Sequence, residues 1–221
     1  MKNSLSHTEE NYLKAIYSIG LSSSEIVNTT FIAKKLKTKP SSVTDMIQKL
    51  AEKEFINYEK YKGVSLTQSG KKIAVEIVRK HRLWEVFLVN KLHYNWDEVH
   101  DMAEQLEHIK SESLVGRLEA FLEYPKHDPH GDPIPDENGN IALHKKVMLS
   151  SVNPNTSCII IGVQDSSSAF LKFLDSANIK LGSILKIISK EQFDNSMLIE
   201  NNTISISISQ QIANNLFVKK L

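Results

Sequence analysis

Residues 39–67 read KPSSVTDMIQKLAEKEFINYEKYKGVSLT. Pro40 suits the first turn of a helix, where its missing N–H costs no hydrogen bond. From there Val43, Met46, Ile47 and Leu50 recur at spacings of three and four and form one apolar stripe. The period then changes. FINYEKYKGVSLT alternates in strand fashion around Lys62-Gly63, a hairpin signal. Upstream, SHTEENYLKAIYSI (6–19) is an amphipathic helix pattern with Ser6 or Thr8 as its cap, and TTFIAKKLK (29–37) fits a second helix. The order helix, helix, short turn, helix, hairpin is that of a winged helix-turn-helix.

Downstream, SGKKIAVEIVRKHRLWEVFLVNKL (69–92) continues as a long helix. NWDEVHDMAEQLEHIK (95–110) and SESLVGRLEAFLEY (111–124) follow, giving an all-helical middle part. PKHDPHGDPIPDENGN (125–140) carries four prolines and two glycines and breaks it as a loop. From about Ser150 short β-like runs (SCIIIGV, SILKIIS, SMLIENNTISISIS) surround one helix, SSSAFLKFLDSA. A small β-barrel is the expected result. The fold class is therefore mainly α with small β parts, divided as 1–73, 74–145 and 150–221.

The 221 residues carry a net charge of only +1, but unevenly. Residues 1–80 hold 14 Lys and Arg against 8 Asp and Glu, whereas residues 81–148 hold 7 against 13. Seven of the eight histidines lie in that acidic middle. A basic first part suits a polyanion and an acidic, histidine-rich second part suits a cation. No run of eighteen apolar residues suggests a membrane span, and the start lacks an apolar leader core. The single cysteine, Cys158, has no internal disulfide partner, which fits a reducing cytoplasm.

Within HDMAEQLEHIK (100–110), His100, Glu104, Glu107 and His108 fall on one face if the stretch is helical. Such a face is either a solvated surface with i,i+4 pairs or half of a metal site.

KPSSVTDMIQKLAEKEFINYEKYKGVSLTQSGKKIA, RKHRLWEVFL and VHDMAEQLEH, in that order, resemble the metal-dependent repressors typified by the diphtheria toxin repressor, and the helix-turn-helix resembles the manganese-transport-regulator branch. The resemblance runs over about residues 8–135, and the tail is similar to the small SH3-like (FeoA-like) third domain of longer members. It implies a homodimeric, cytoplasmic repressor of metal-uptake genes that binds a double-stranded DNA operator when loaded with Mn²⁺ or Fe²⁺. No catalysis, small organic substrate or membrane partner is expected.

The resemblance also implies a ligand set. Glu107, His108 and His81 match primary-site ligands. Glu104 fills a position that is Glu in manganese-type members. Asn11 stands where those members have Asp, so the site has one negative charge fewer. A second site would draw on Glu85, Asp128 and His130, with Asp165 from the tail and His100 beside them; HDPHGD read alone is equally a polar turn. His93, His127 and His144 match nothing and read as surface histidines.

On the third helix Ser41, Ser42, Thr44, Asp45 and Gln48 should face solvent, where a recognition helix meets base edges. Lys34, Lys35, Lys37, Lys39 and Lys49, with Lys60 and Lys62 in the hairpin, would take phosphates. Two rivals stay open. One is a metal-dependent hydrolase using the His/Glu cluster, although the chain has no HExxH motif. The other is a DNA-binding protein whose metal site is vestigial.

Overall fold

The computed structural model describes residues 5–22, 26–59, 62–141, 146–201 and 204–221. The chain divides into two compact units. The first comprises residues 1–81, 104–112 and 135–140, and the second residues 82–103, 113–134 and 141–221.

In the first unit α1 (His7–Ser22), α2 (Thr29–Lys35) and α3 (Pro40–Glu52) precede the hairpin of β1 (Ile56–Glu59) and β2 (Gly63–Leu66). Helix α1 starts on a capping box. The Glu9 amide donates to Ser6 Oγ at 3.3 Å, and the Ser6 amide donates back to Glu9 Oε2 at 2.8 Å. Asn28 caps α2 by accepting from the Thr30 amide. Pro40 opens α3 as expected, and Val43, Ile47 and Leu50 are fully buried there, with Met46 half-buried. They join Leu13, Ile16, Ile32 and Val64 in the core. The hairpin is antiparallel, from Ile56 opposite Leu66 to Glu59 opposite Gly63. Gly63 has φ +124°, and a Cβ there would meet Ile26 and the Val27 carbonyl at 2.8 Å, so only glycine fits. Lys60 and His144 lie outside the described residues.

Helix α4 (Gln68–Leu92) contributes its first part to this unit and its second part to the other. Helix α5 spans Val99–Leu106, shorter than the sequence pattern suggests. The Ile109 amide donates to the Leu106 carbonyl, three residues back, so the helix closes in a tight turn. Glu107 and His108 therefore sit in that turn, not on a continuing helix face.

In the second unit α4 packs with α6 (Glu112–Phe121) through Leu83, Val86, Val115, Leu118 and Leu122. The tail builds a six-stranded antiparallel sheet in the order β3-β8-β4-β5-β6-β7. Its strands are β3 (Val147–Met148), β4 (Ser157–Val163), β5 (Ile184–Lys190), β6 (Met197–Asn201), β7 (Ile204–Ile208) and β8 (Leu216–Lys220). Two helices are inserted, α7 (Ser168–Ser176) and α8 (Gln210–Ala213). Register shifts at Ile160/Gly162 and Ile187/Ser189 bend β4 and β5 around one apolar core. Cys158 is buried in it, and burial pushes its thiol up to about 11. The run 196–209 is a hairpin of two strands, with Asn201 opposite Ile204. Among the described residues no helix is long and apolar enough to cross a membrane.

Candidate metal centre

Glu104, at the end of α5, and Glu107 and His108, in the turn beyond, meet α1 and His81 of α4 inside the first unit. They are no solvated helix face: the side chain of Glu107 is fully buried and those of His108 and His81 nearly so, while Glu104 is 44 % exposed. His81 Nδ1 and Glu107 Oε2 share a hydrogen bond of 2.6 Å. His108 Nδ1 does the same with Glu10 Oε2, also at 2.6 Å, and its ring stacks on His7 with centroids 4.3 Å apart. Lys14 Nζ lies 2.8 Å from Glu107 Oε1 and donates to Oε2 at 3.0 Å and to Glu104 Oε1 at 3.2 Å. Asn11 stands between Glu10 and Lys14 on α1, and its Oδ1 is buried with no hydrogen-bond partner among the described residues.

The donor set suits a borderline-to-hard divalent ion: imidazole nitrogens, carboxylate oxygens and one amide oxygen, without sulfur. A buried amide oxygen without a donor is what a cation ligand looks like before the cation is counted. The residues therefore fit Mn²⁺ or Fe²⁺. Yet among the described residues no three of His81, Glu104, Glu107 and His108 bring donor atoms within 4.8 Å of one another. The Lys14 ammonium lies among them instead. Neither Lys14 nor Glu10 stood out in the sequence, although Lys14 lies on one α1 face with both Asn11 and Glu10, at spacings of three and four.

A second cluster lies within the other unit. Donor atoms of Glu85, Asp128 and His130, all buried, gather within 4.8 Å. His130 Nδ1 is 3.6 Å from Glu85 Oε2, and His130 Nε2 lies 2.9 Å from the Trp96 carbonyl. His100 approaches Glu85 Oε1 at 3.5 Å from the exposed side. Arg82 lies 3.5 Å from Asp128. Burial, with the charges of Glu85 and Asp132, pushes the Asp128 carboxyl up to about 6 against the pull of Arg82 and His130. Burial disfavours the charged imidazole of His130, but Glu85 and Asp128 outweigh it and raise His130 to about 9. HDPHGD is thus a turn whose Asp128 and His130 side chains also join this cluster. Asp128 Oδ1 accepts from the His130 and Asp132 amides and shapes the loop, leaving Oδ2 toward Arg82. Asp165 is not part of this group; its Oδ1 accepts from the Ser167 amide at the start of α7.

The tail domain meets this loop through backbone. The Val163 amide donates to the His130 carbonyl at 2.9 Å. Gly131, φ +84°, lies so close to β4 that a Cβ would stand 2.2 Å from the Ile161 carbonyl. Trp96 stacks on His130 and donates from Nε1 to Asp175 of α7.

On α3, Ser41, Ser42, Thr44, Asp45 and Gln48 are exposed, as are Lys34, Lys35, Lys37 and Lys39 before it. The Thr44 hydroxyl donates to the Pro40 carbonyl. Lys49 leans back to 3.3 Å from Glu9, so its charge is shared with the interior. Lys62 is exposed beside Glu59 at 2.6 Å. His93 and His127 are exposed.

Fold and surface together define a winged-helix DNA-binding regulator with a small accessory β domain. Residues 4–64 match the iron dependent repressor N-terminal DNA binding domain, 67–136 the iron dependent repressor metal binding and dimerisation domain, and 147–220 the FeoA domain. An uncharacterised HTH-type transcriptional regulator of Methanocaldococcus jannaschii is 37 % identical over 119 residues, 54 % of this chain and 95 % of the relative. The HTH-type transcriptional regulator MntR of Oceanobacillus iheyensis is 37 % identical over 119 residues, 54 % of this chain and 80 % of its own length. A solved manganese-dependent transcriptional repressor in complex with manganese superposes with a TM-score of 0.87 at 32 % identity, over 96 % of this chain and all of its own. The chain belongs to the diphtheria toxin repressor/manganese transport regulator family of metal-dependent transcriptional repressors.

Proposed function

We propose that this chain forms a homodimeric repressor that binds a DNA operator of metal-uptake genes when Mn²⁺ or Fe²⁺ is held by Asn11, His81, Glu104, Glu107 and His108. The observation that carries this reading is the buried meeting of α1 with the turn after α5. Residues of α1 there pair with Glu104, Glu107 and His108, and Asn11 adds an oxygen that nothing satisfies among the described residues. A bound cation supplies the positive charge that lets these carboxylates and the Asn11 oxygen converge. Helix α1 packs on α2 and α3, so its position sets that of the recognition surface. In a dimer, fixing both copies of α1 raises the fraction of molecules with both recognition helices correctly spaced. A coupling of about 1–3 kcal/mol is enough for this switch.

The working division is a DNA-binding part (1–73), a metal-binding and dimerisation part (74–145) and the small β domain (150–221). Glu85, Asp128 and His130 hold a second cation, with His100 beside them. Lys35, Lys37, Lys39 and Lys62 take phosphates, and Ser41, Ser42, Thr44, Asp45 and Gln48 face the bases, with Lys49 at the helix end.

The test is a DNA-binding titration with Mn²⁺, anaerobic Fe²⁺ and Zn²⁺, with chelator as control. Metal should tighten binding, and Glu107→Ala or His108→Ala should abolish the stimulation while the protein stays folded. DNA binding that chelator leaves unchanged would overturn metal activation and favour a vestigial site.

A further inference from the structure

We infer that Lys14 is a built-in competitor of the activating metal: its ammonium neutralises Glu104 and Glu107 in the metal-free protein and must leave them when a divalent cation binds. The inference rests on the metal-centre reading above. Glu107 is fully buried, and a buried carboxylate needs a counter-charge. Lys14 provides it at 2.8 and 3.0 Å, reaches Glu104 at 3.2 Å, and is itself only 15 % exposed. Glu107 Oε2 is also engaged by His81 at 2.6 Å. Both oxygens of the most buried candidate ligand are thus beside a cationic or N–H group that the chain supplies itself.

Binding at these carboxylates exchanges one cation for another, so affinity reflects the difference between them. A lysine suits such an exchange. Its charge sits on a flexible four-carbon stem, without the planar fork that clamps a carboxylate through two parallel bonds. Glu104, half open to solvent, marks the way out. Asn11 contributes in the same direction. Its neutral oxygen leaves the site with only as much negative charge as Lys14 partly balances. The resulting sensor responds only when free metal is abundant enough to displace an internal ion.

Two substitutions in the full-length protein test this: Lys14→Met, which keeps the stem and removes the charge, and Lys14→Arg, which keeps the charge and tightens the grip. Mn²⁺ affinity is measured by calorimetry, and thermal unfolding is followed in chelator and in Mn²⁺. Lys14→Met should bind Mn²⁺ at least tenfold more tightly than wild type, unfold at a lower temperature in chelator, and gain more from Mn²⁺. Lys14→Arg should bind Mn²⁺ no more tightly than wild type. If Lys14→Met is folded and binds Mn²⁺ equally or more weakly, Lys14 orients the ligands and the inference fails while the metal centre stands. If Lys14→Met does not fold, tighter Mn²⁺ binding by Lys14→Arg overturns the inference, and equal or weaker binding supports it. If neither wild type nor either variant binds Mn²⁺, the metal centre itself is wrong and the competition falls with it. Binding by Lys14→Met alone supports competition and removes metal activation from the natural chain.

Discussion

Glu10 holds His108 by Nδ1 at 2.6 Å, so the other ring nitrogen, Nε2, faces Glu107 Oε1, 3.9 Å away. Which nitrogen of an imidazole is offered to a metal is set by the bond that the other one makes. Glu10→Ala should weaken the Mn²⁺ response about 10–100-fold, the range typical of such supporting carboxylates. Glu10→Gln, whose amide oxygen still accepts from Nδ1–H, should fall between. The midpoint of a Mn²⁺ titration of DNA binding measures it. An unchanged midpoint in Glu10→Ala would remove Glu10 from the site.

Glu9 ties two helices together. It accepts from Lys53 at 2.6 Å and from the Ser6 amide, with Lys49 at 3.3 Å. Burial alone would raise its carboxyl, but Lys53, the Ser6 amide and Lys49 bring it down to about 2 from 4.5. The folded value lies below the unfolded one, so the stabilisation is complete above about pH 4.5 and is lost as pH falls toward 2. Glu9→Gln should cost about 2 kcal/mol at pH 7. Urea unfolding at pH 7 and pH 3 should show the difference from wild type shrinking in acid. A difference independent of pH would mean that the carboxylate charge is not what matters.

Much of this architecture was legible in the sequence because the apolar period holds over α1 to α4, with Ser6 and Pro40 marking two of the helix starts. Pro40 and the Val43–Ile47–Leu50 stripe fixed the recognition helix, and SCIIIGV is β4 residue for residue. The end of α5 was not legible, because charged periodicity runs on past the last helical hydrogen bond. Strand β8, LFVKK, is short and ends in two lysines, so it gives little alternation to read. The candidate ligands were read from their spacing and from the resemblance. Lys14 and Glu10 were not, because a charged residue on an amphipathic helix ordinarily points to water. Only the fold shows that this face of α1 is covered.

Gly131 makes a sharper case for the second cluster. Both its positive φ and its approach to Ile161 exclude a side chain. Gly131→Ala should destabilise the β domain contact by about 1–3 kcal/mol and displace the loop that carries Asp128 and His130. Native-state hydrogen exchange at the Val163 amide, which donates to His130, reports the loss directly. Protection equal to wild type would show that the close approach carries no energy.

At the DNA surface, residues of different roles should separate by salt. Lys35→Ala should weaken binding to operator and random DNA alike and lower the salt slope by about two units, one for each protomer of the dimer. Asp45→Ala should relax preference at one base pair per half-site, by about 1–3 kcal/mol, with the slope nearly unchanged. Filter binding across a salt series on both DNAs distinguishes them. An Asp45 effect equal on both would exclude base reading.

The sharing of Glu9 between the start of α1 and the lysines near the end of α3 has a mechanical consequence. A tilt of α1 that keeps these bonds turns the third helix with it, pinned at one carboxylate. With thirteen residues, α3 is about 20 Å long, so a tilt of about 5° carries its far tip nearly 2 Å. Successive bases along a strand are about 3.4 Å apart, so so small a rotation of α1 already spoils half a base step of register.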